Sequence, residues 1–128
     1  MKKNYDVIII GAGIAGMTTA IYLKRGGQDV LIIEENVPGG QLNKINTIEN
    51  YPGFTKIDGP TLAAEIFTQT RNLNIEYLFE KVISTDLTGE FKKITTNNQE
   101  LTCKYLVIAT GRPYPGIQNL IKELKLNE

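Results

Sequence analysis

The segment Tyr5–Gly16, with the sequence YDVIIIGAGIAG, constrains the fold more than any other part of the chain. Residues Val7–Ile10 are all β-branched, which is typical of a strand buried on both faces of a parallel sheet. This strand runs directly into a GxGxxG pattern. Apolar residues at helical spacing follow over Ile14–Arg25, and Gly26 provides a stop signal. The segment therefore predicts a strand, a tight turn and a helix.

An acidic residue completes the pattern in the next strand. The run Asp29–Ile33 predicts a second buried strand and is followed at once by Glu34, about twenty residues beyond the glycines. A strand, a glycine turn, a helix and a strand that ends in an acid make up the βαβ unit that binds dinucleotides. Glu34 can accept hydrogen bonds from ribose hydroxyls and would repel a 2′-phosphate, which disfavours NADP. Glu35 is the second candidate for this contact.

Each glycine of the pattern has a predicted task. Gly11 permits the tight turn, Gly13 keeps a Cβ out of the path of a pyrophosphate, and Gly16 lets the helix lie close to the sheet. The helix N-terminus offers unpaired N–H groups and a partial positive charge to the phosphates. The alternative is a purely structural glycine turn in an α/β domain.

The rest of the sequence predicts one more helix and several strands beyond a long connection. Residues 34–60 are polar with two turns rich in Gly and Pro, and connections of this length are often functional. The predicted fold class is α/β, a Rossmann-like domain with a parallel sheet and a three-stranded antiparallel meander. The predicted elements are a helix over Pro60–Asn72, a strand over Ile75–Leu78, a meander of Val82–Leu87, Phe91–Thr96 and Glu100–Cys103, and a last buried strand over Tyr105–Ala109.

Composition excludes several kinds of chemistry. Fourteen basic residues balance fourteen acidic ones, which argues against a nucleic-acid or membrane partner. Because the 128 residues include no histidine, we predict no catalytic side chain and no metal site, and expect the chemistry to come from a cofactor. The single cysteine, Cys103, suits a reducing cytoplasm. No apolar run approaches the ~18 residues of a membrane span.

The GxGxxG pattern alone does not distinguish NAD from FAD. An extended FAD reaches further than the first glycine turn and needs more places where the backbone can come close. Gly39 and Gly40 in the long loop, and Gly111 after the last strand, are such places. The sequence therefore favours FAD.

Four motifs, GAGIAG, GGQL, IENYPGF and YLVIATGR, occur in this order along the chain. Together they resemble the FAD domain of low-molecular-weight thioredoxin reductases, which belong to the two-dinucleotide-domain flavoprotein superfamily. The resemblance covers Asp6 to about Arg112. It implies an FAD-binding domain over residues 1–112, incomplete relative to the family.

The resemblance also assigns roles to individual residues. The alternative for Gln41 and Asn50 is an ordinary polar role in a loop. The alternative for Val82 is a place in the core. Cys103 is expected to pack in the core. The resemblance implies that the pyrophosphate lies at Gly11 to Ala15, including Gly13 and Ile14, and that Glu34 contacts the ribose. The phosphates and ribityl chain would run beside Gly39, Gly40 and Gln41, and Asn50 would contact the cofactor from the second loop. The Val82 backbone would bind the adenine, and Thr110 and Gly111 would pass close to the cofactor.

The sequence departs from the family after the last predicted strand. It contains no second GxGxxG, no CxxC and no returning Gly-Asp strand. Residues 113–128 form a divergent tail in which Ile117, Leu120, Ile121 and Leu124 predict a short amphipathic helix. Such a helix would cover the edge of the last strand, and the alternative is self-association. We expect a homo-oligomer.

Two functions of different class are compatible with these features. The first is the FAD module of a disulfide or ferredoxin-linked reductase, inactive or incomplete alone, whose NADPH and CxxC sites come from a second polypeptide or domain. The second is a non-catalytic dinucleotide-binding or remnant domain.

Overall fold

The structure, a computed structural model, describes residues 2–111. A strand and a helix, β1 (Asn4–Ile10) and α1 (Ile14–Arg25), open the chain, as the sequence predicts. The later elements are β2 (Val30–Ile33), a short 3₁₀ helix (Gly40–Lys44), α2 (Gly59–Asn72), β3 (Glu76–Leu78), β4 (Val82–Asp86), β5 (Lys92–Thr96) and β6 (Glu100–Ile108).

The strands form one mixed sheet in the order β3-β2-β1-β6-β5-β4. The pairs β3-β2, β2-β1 and β1-β6 are parallel, whereas β6-β5 and β5-β4 are antiparallel. This confirms a parallel sheet built on a βαβ unit and extended by a meander. The carboxyl ends of β1, β2 and β6 therefore lie at one edge of the parallel part, where α/β proteins bind ligands.

Most predicted strand ends agree with the structure to within one residue, but two predicted strands are joined. The predicted strands Glu100–Cys103 and Tyr105–Ala109 are a single strand, β6. Its first part, Glu100–Cys103, pairs with β5 on one side, and residues from Thr102 to Ile108 pair with β1 on the other. The exposed Lys104 interrupts the apolar pattern, but hydrogen bonding to β1 continues across it because strand pairing does not depend on side-chain polarity.

The connection between β3 and β4 requires the sheet to curl. Only three residues, 79–81, separate these two strands, which are the opposite edges of the sheet. Leu78 and Val82 can therefore be at most about 14 Å apart, whereas the edges of a flat six-stranded sheet would lie about 24 Å apart. The meander must bend back towards β3, which brings Val82 to the carboxyl edge of the parallel strands.

Two buried clusters hold the curled sheet together. On the helix side, Val7 and Ile9 of β1 pack in a cluster with Met17 of α1 and Leu62 of α2. The second cluster joins the parallel strands to the meander and contains Ile8, Leu31, Ile33, Ile94 and Leu101. No helix among the described residues is long and apolar enough to cross a membrane. The predicted helix in residues 113–128 lies outside the described residues, and the homo-oligomer stays a prediction.

The glycine turn between β1 and α1 is held by very close backbone contacts. Gly11 has φ +110°, and a Cβ there would lie 2.2 Å from the carbonyl oxygen of Ala109. A Cβ on Gly16 would lie 2.0 Å from the carbonyl oxygen of Gly11. These two glycines are therefore required by the packing of the protein itself. Gly13 differs, because a Cβ there meets no described atom within 4 Å.

The contrast between Gly16 and Gly13 predicts different losses of stability when each is replaced by alanine. Gly16→Ala places a methyl group inside a backbone contact and should lower the free energy of unfolding by about 2 kcal/mol or more. Gly13→Ala should change it by less than about 1 kcal/mol, since the site is open and its φ of −74° suits alanine. Urea denaturation followed by circular dichroism measures both. Equal destabilisation by the two substitutions would contradict this account of the turn.

Cys103 lies in the second cluster and is completely buried, in keeping with the packing role expected for it. Burial raises the pKa of its thiol. Only the thiolate is a good nucleophile, so this cysteine is shielded both sterically and chemically.

We therefore expect the native protein to react very slowly with a disulfide reagent such as DTNB at neutral pH. The protein unfolded in urea should release one equivalent of thionitrobenzoate rapidly, because the same thiol is then exposed. Rapid reaction of the folded protein would show that Cys103 is accessible and would contradict its assignment to the core.

Candidate functional site

The N-terminus of α1 is open. Gly13 is its N-cap and supplies no side-chain hydrogen bond, and the first turn of the helix has no acidic residue. By contrast, Asp58 caps α2 by accepting a hydrogen bond from the N–H of Thr61 at 2.9 Å. The N–H groups of Ile14 to Gly16 have no acceptor within α1, so they and the helix dipole favour an anion at this end.

A second glycine pair lies against this turn. Gly39 has φ +110°, and its N–H donates to the carbonyl oxygen of Ala12 at 2.7 Å. A Cβ on Gly39 would lie 2.6 Å from the Cβ of Ala63, so this glycine is required by packing. A Cβ on Gly40 would come within 3.5 Å of Gly13 Cα. The loop after β2 is thus anchored directly to the loop after β1.

Glu34 links β2 to the same turn. Its carboxylate accepts hydrogen bonds from the N–H of Ala12 at 2.7 Å and from the N–H of Asn36 at 2.9 Å. A carboxylate has about four lone-pair positions, so acceptor capacity is left for another donor. The predicted ribose contact stays a prediction, and the structure adds a contact that the sequence did not indicate. Glu34 also holds the glycine turn.

These loops enclose a cleft of about 760 Å³ at the carboxyl edge of the sheet. The predicted site residues line this cleft with two exceptions, Gly16 and Asn50. Gly16 is buried beneath the turn, and Asn50 is exposed in the loop before α2. The residues that the structure brings together at the cleft are Gly11, Gly13, Ile14, Ala15, Glu34, Glu35, Gly39, Gly40, Gln41, Val82, Thr110 and Gly111.

Two charged residues that the sequence analysis did not single out also line the cleft, Lys44 and Glu80. Lys44 ends the 3₁₀ helix and is the one cation at the cleft among the described residues, where three carboxylates also lie. The sequence contained a signal for Lys44, because this residue follows the Gly39-Gly40 pair closely in the segment GGQLNK. No local sequence pattern indicated Glu80, because this residue reaches the cleft only through the curl of the sheet.

The environment of Glu80 lowers the pKa of its carboxyl group. The main cause is the Thr96 hydroxyl, which donates to the carboxylate at 2.5 Å. The side chain of Gln99 donates to the other carboxylate oxygen at 3.0 Å. Glu80 is therefore ionised and fixed in orientation at neutral pH.

One buried polar side-chain atom beside the glycine turn lacks a hydrogen-bond partner among the described residues. The hydroxyl oxygen of Thr110 is buried and has no hydrogen-bond partner within residues 2–111. A buried polar atom without a partner costs about 1–3 kcal/mol. The open helix N-terminus, the empty space at Gly13 and this hydroxyl together fit an elongated ligand with an anionic centre.

Comparison with known proteins gives a consistent result. A family profile described as pyridine nucleotide-disulphide oxidoreductase matches residues 5–126. The chain is 42% identical over 124 residues to thioredoxin reductase of Ureaplasma parvum, covering 97% of this chain and 40% of that protein. It is 39% identical over 116 residues to thioredoxin reductase of Bacillus subtilis, covering 91% of this chain and 37% of that protein.

Solved structures agree with the sequence comparisons. Thioredoxin reductase from Streptococcus pyogenes superposes with a TM-score of 0.85 at 39% identity, over 89% of this chain and 37% of that one. The ferredoxin-flavin thioredoxin reductase from Clostridium acetobutylicum gives a TM-score of 0.81 at 28% identity, over 89% of this chain and 39% of that one. The chain thus spans about two fifths of the length of the relatives it matches. By its sequence and its fold, the chain belongs to the pyridine nucleotide-disulphide oxidoreductase family.

Proposed function

We propose that the chain is the FAD-binding module of a flavin oxidoreductase of the thioredoxin-reductase type. The observation that carries the proposal is the pairing of an open α1 N-terminus with the space beside Gly13, in a cleft that Glu34 and Thr110 also line. Membership of the family and the similar solved structures support a flavin cofactor. The volume of the cleft, about 760 Å³, and its two glycine loops favour FAD over a smaller flavin.

The pyrophosphate of FAD would lie at the N-terminus of α1. The N–H groups of Ile14, Ala15 and Gly16 would donate to its oxygens, and Gly13 would let it approach the backbone. Gly40 faces Gly13 from the second loop. Lys44 would contribute the balancing positive charge among the carboxylates at the cleft.

The adenosine half of FAD would lie on the Glu34 side. Glu34 would accept from the ribose while it holds the glycine turn, and Glu35 is the next residue at the cleft wall. The base would then extend towards Val82, since the N–H of Glu34 donates to the carbonyl of Leu78 at the end of β3 and the chain continues from there to β4.

The backbone of Val82 is suited to bind a base. Val82 is opposite Thr96, and the N–H of Asn97 donates to the carbonyl of Lys81 at 3.1 Å. This pattern makes Val82 and Thr96 a non-hydrogen-bonded pair, in which the N–H and carbonyl of Val82 point away from β5. Because β4 is an edge of the sheet within the described residues, both groups are available to a ligand.

The flavin half would extend towards the end of β6. Thr110, whose hydroxyl has no hydrogen-bond partner among residues 2–111, lines the cleft there with Gly111, and Gln41 lines it from the 3₁₀ helix. We propose that Thr110 finds its missing partner on the cofactor. Asn50 lies outside the cleft, and its contact with the cofactor stays a prediction.

When bound, FAD supplies the redox centre that accepts electrons from a nicotinamide or ferredoxin-type donor and passes them to a dithiol. The chain's own residues bind and orient the cofactor. They provide no dithiol, because the only cysteine is the buried Cys103. We propose that a second polypeptide or domain provides the donor and dithiol sites, and that the protein works in the cytoplasm as a homo-oligomer.

A non-catalytic nucleotide-binding domain is the second candidate. It is favoured by the groups at the cleft, since the open N-terminus of α1, the glycine loops and Glu34 bind and orient a ligand. Both candidates predict nucleotide binding, and they differ in whether bound FAD is reduced once a partner or an NAD(P)H donor is added.

Titration of the apoprotein by calorimetry tests the proposal. We expect FAD to bind more tightly than NAD or FMN by more than about tenfold, because only FAD can occupy both the adenosine and flavin ends of the cleft. Gly13→Val should weaken FAD binding by at least about tenfold and leave the fold intact.

The matched control is Gly26→Ala, which lies at the end of α1 where a Cβ makes ordinary contacts. It should leave the affinity for FAD unchanged. Tighter binding of NAD than of FAD would contradict the proposal, as would equal affinities of wild type and Gly13→Val.

A further inference from the structure

A polar cluster joins the connection after β3 to the turn between β5 and β6. We call it the Glu80 clamp and define it as Glu80, Lys81, Thr96, Asn97 and Gln99. The side chains of Thr96 and Gln99 donate to the two carboxylate oxygens of Glu80 at 2.5 and 3.0 Å. The N–H of Lys81 donates to the side-chain oxygen of Asn97 at 3.2 Å, and the N–H of Asn97 donates to the carbonyl of Lys81 at 3.1 Å.

Thr96 is the centre of the clamp. Its side chain is buried, and its hydroxyl oxygen accepts from the N–H groups of Asn98 at 3.3 Å and Gln99 at 3.1 Å while the hydroxyl donates to Glu80. The hydroxyl thus shapes the β5–β6 turn and attaches it to the carboxylate. Thr96 does not line the cleft, whereas Glu80 does.

The clamp lies beside an interruption in the pairing of an edge strand. β4 pairs only with β5 among the described residues, and a register shift between Val82 and Ser84 interrupts that pairing. Such a bulge lets a strand bend and re-aims the residues beside it. The clamp contains both Lys81, the residue before Val82, and Thr96, the residue opposite Val82 in β5.

A backbone N–H and carbonyl on an open edge discriminate between purines. Adenine presents an amino donor at C6 beside a ring acceptor, N1, and these complement a carbonyl and an N–H. Guanine presents an oxygen acceptor at C6 beside a protonated N1, so donor and acceptor are exchanged. A strand edge rejects the mismatched base only while its N–H and carbonyl are held in place. The free-energy penalty for the wrong base comes from the polar groups that it leaves unpaired.

We propose that Glu80 is a positioning residue that, through Thr96, holds the Val82 backbone against an adenine base and so sets the base selectivity of the nucleotide site. This inference rests on the proposed function, since it assumes that an adenine nucleotide occupies the cleft.

The test compares the affinities of ADP and GDP, measured by calorimetry, for wild type and clamp variants. Wild type should prefer ADP by about tenfold or more. Thr96→Val removes the hydroxyl with little change in shape and should lower this preference several-fold, while the affinity for GDP stays within about twofold because the phosphate and ribose contacts are untouched. Glu80→Ala should act in the same direction.

Two further variants separate positioning from general stability. Thr96→Ser keeps the hydroxyl and should rescue the wild-type preference. Thr102→Val is the matched control, because it removes a threonine hydroxyl that bonds Asn4 at 2.8 Å and has no part in the clamp. It should leave the ADP preference unchanged. If Thr96→Val does not fold, Glu80→Gln, which keeps one acceptor for Thr96, should give an intermediate preference.

Four results would overturn the inference. Clamp variants that weaken ADP and GDP equally would show a merely structural role, and a loss of preference in Glu80→Ala but not in Thr96→Val would show that Glu80 contacts the ligand directly. Wild type that binds FAD but does not distinguish ADP from GDP would overturn the inference and leave the proposed function standing. Wild type that binds none of these nucleotides would overturn both.

Discussion

The structure depends on the absence of side chains where β1 turns into α1. Gly11 lies in contact with the carbonyl of Ala109 at the end of β6, and Gly16 lies in contact with the carbonyl of Gly11. The N–H of Gly39 reaches the same turn by bonding Ala12. Three segments that are far apart in sequence therefore meet at the turn, and Gly11 approaches the end of β6 at a distance that no Cβ would allow. The cleft exists because these segments end together.

The second constraint is the curl of the sheet. The connection from β3 to β4 is too short for a flat sheet, so the meander bends over one face and buries Ile94 and Leu101 against the parallel strands. The same bend carries Glu80 and Val82 to the cleft. The two constraints shape different parts of one site, since the glycine turn shapes its centre and the curl supplies the wall beyond Glu34.

Local patterns predicted the first half of the site and could not predict the second. The strand at Val7–Ile10, the glycine turn and Glu34 are neighbours in a single βαβ unit, so their spacing already encodes their geometry. The continuity of β6 across Lys104 depends on pairing with two different strands. The contact of Glu80 with Thr96 depends on the curl. Such features depend on which strands pair in the folded protein. The hydrophobic periodicity of a short segment does not indicate that pairing.

The central claim is that the N-terminus of α1 receives the phosphates of an adenine dinucleotide. A titration of the ¹⁵N-labelled chain with ADP, followed by amide chemical shifts, tests it residue by residue. The largest shifts should occur at the N–H groups of Ile14, Ala15 and Gly16, with a second group at Val82. Unchanged shifts at the start of α1, with perturbations confined to the β4–β5 hairpin or spread evenly over the surface, would contradict it.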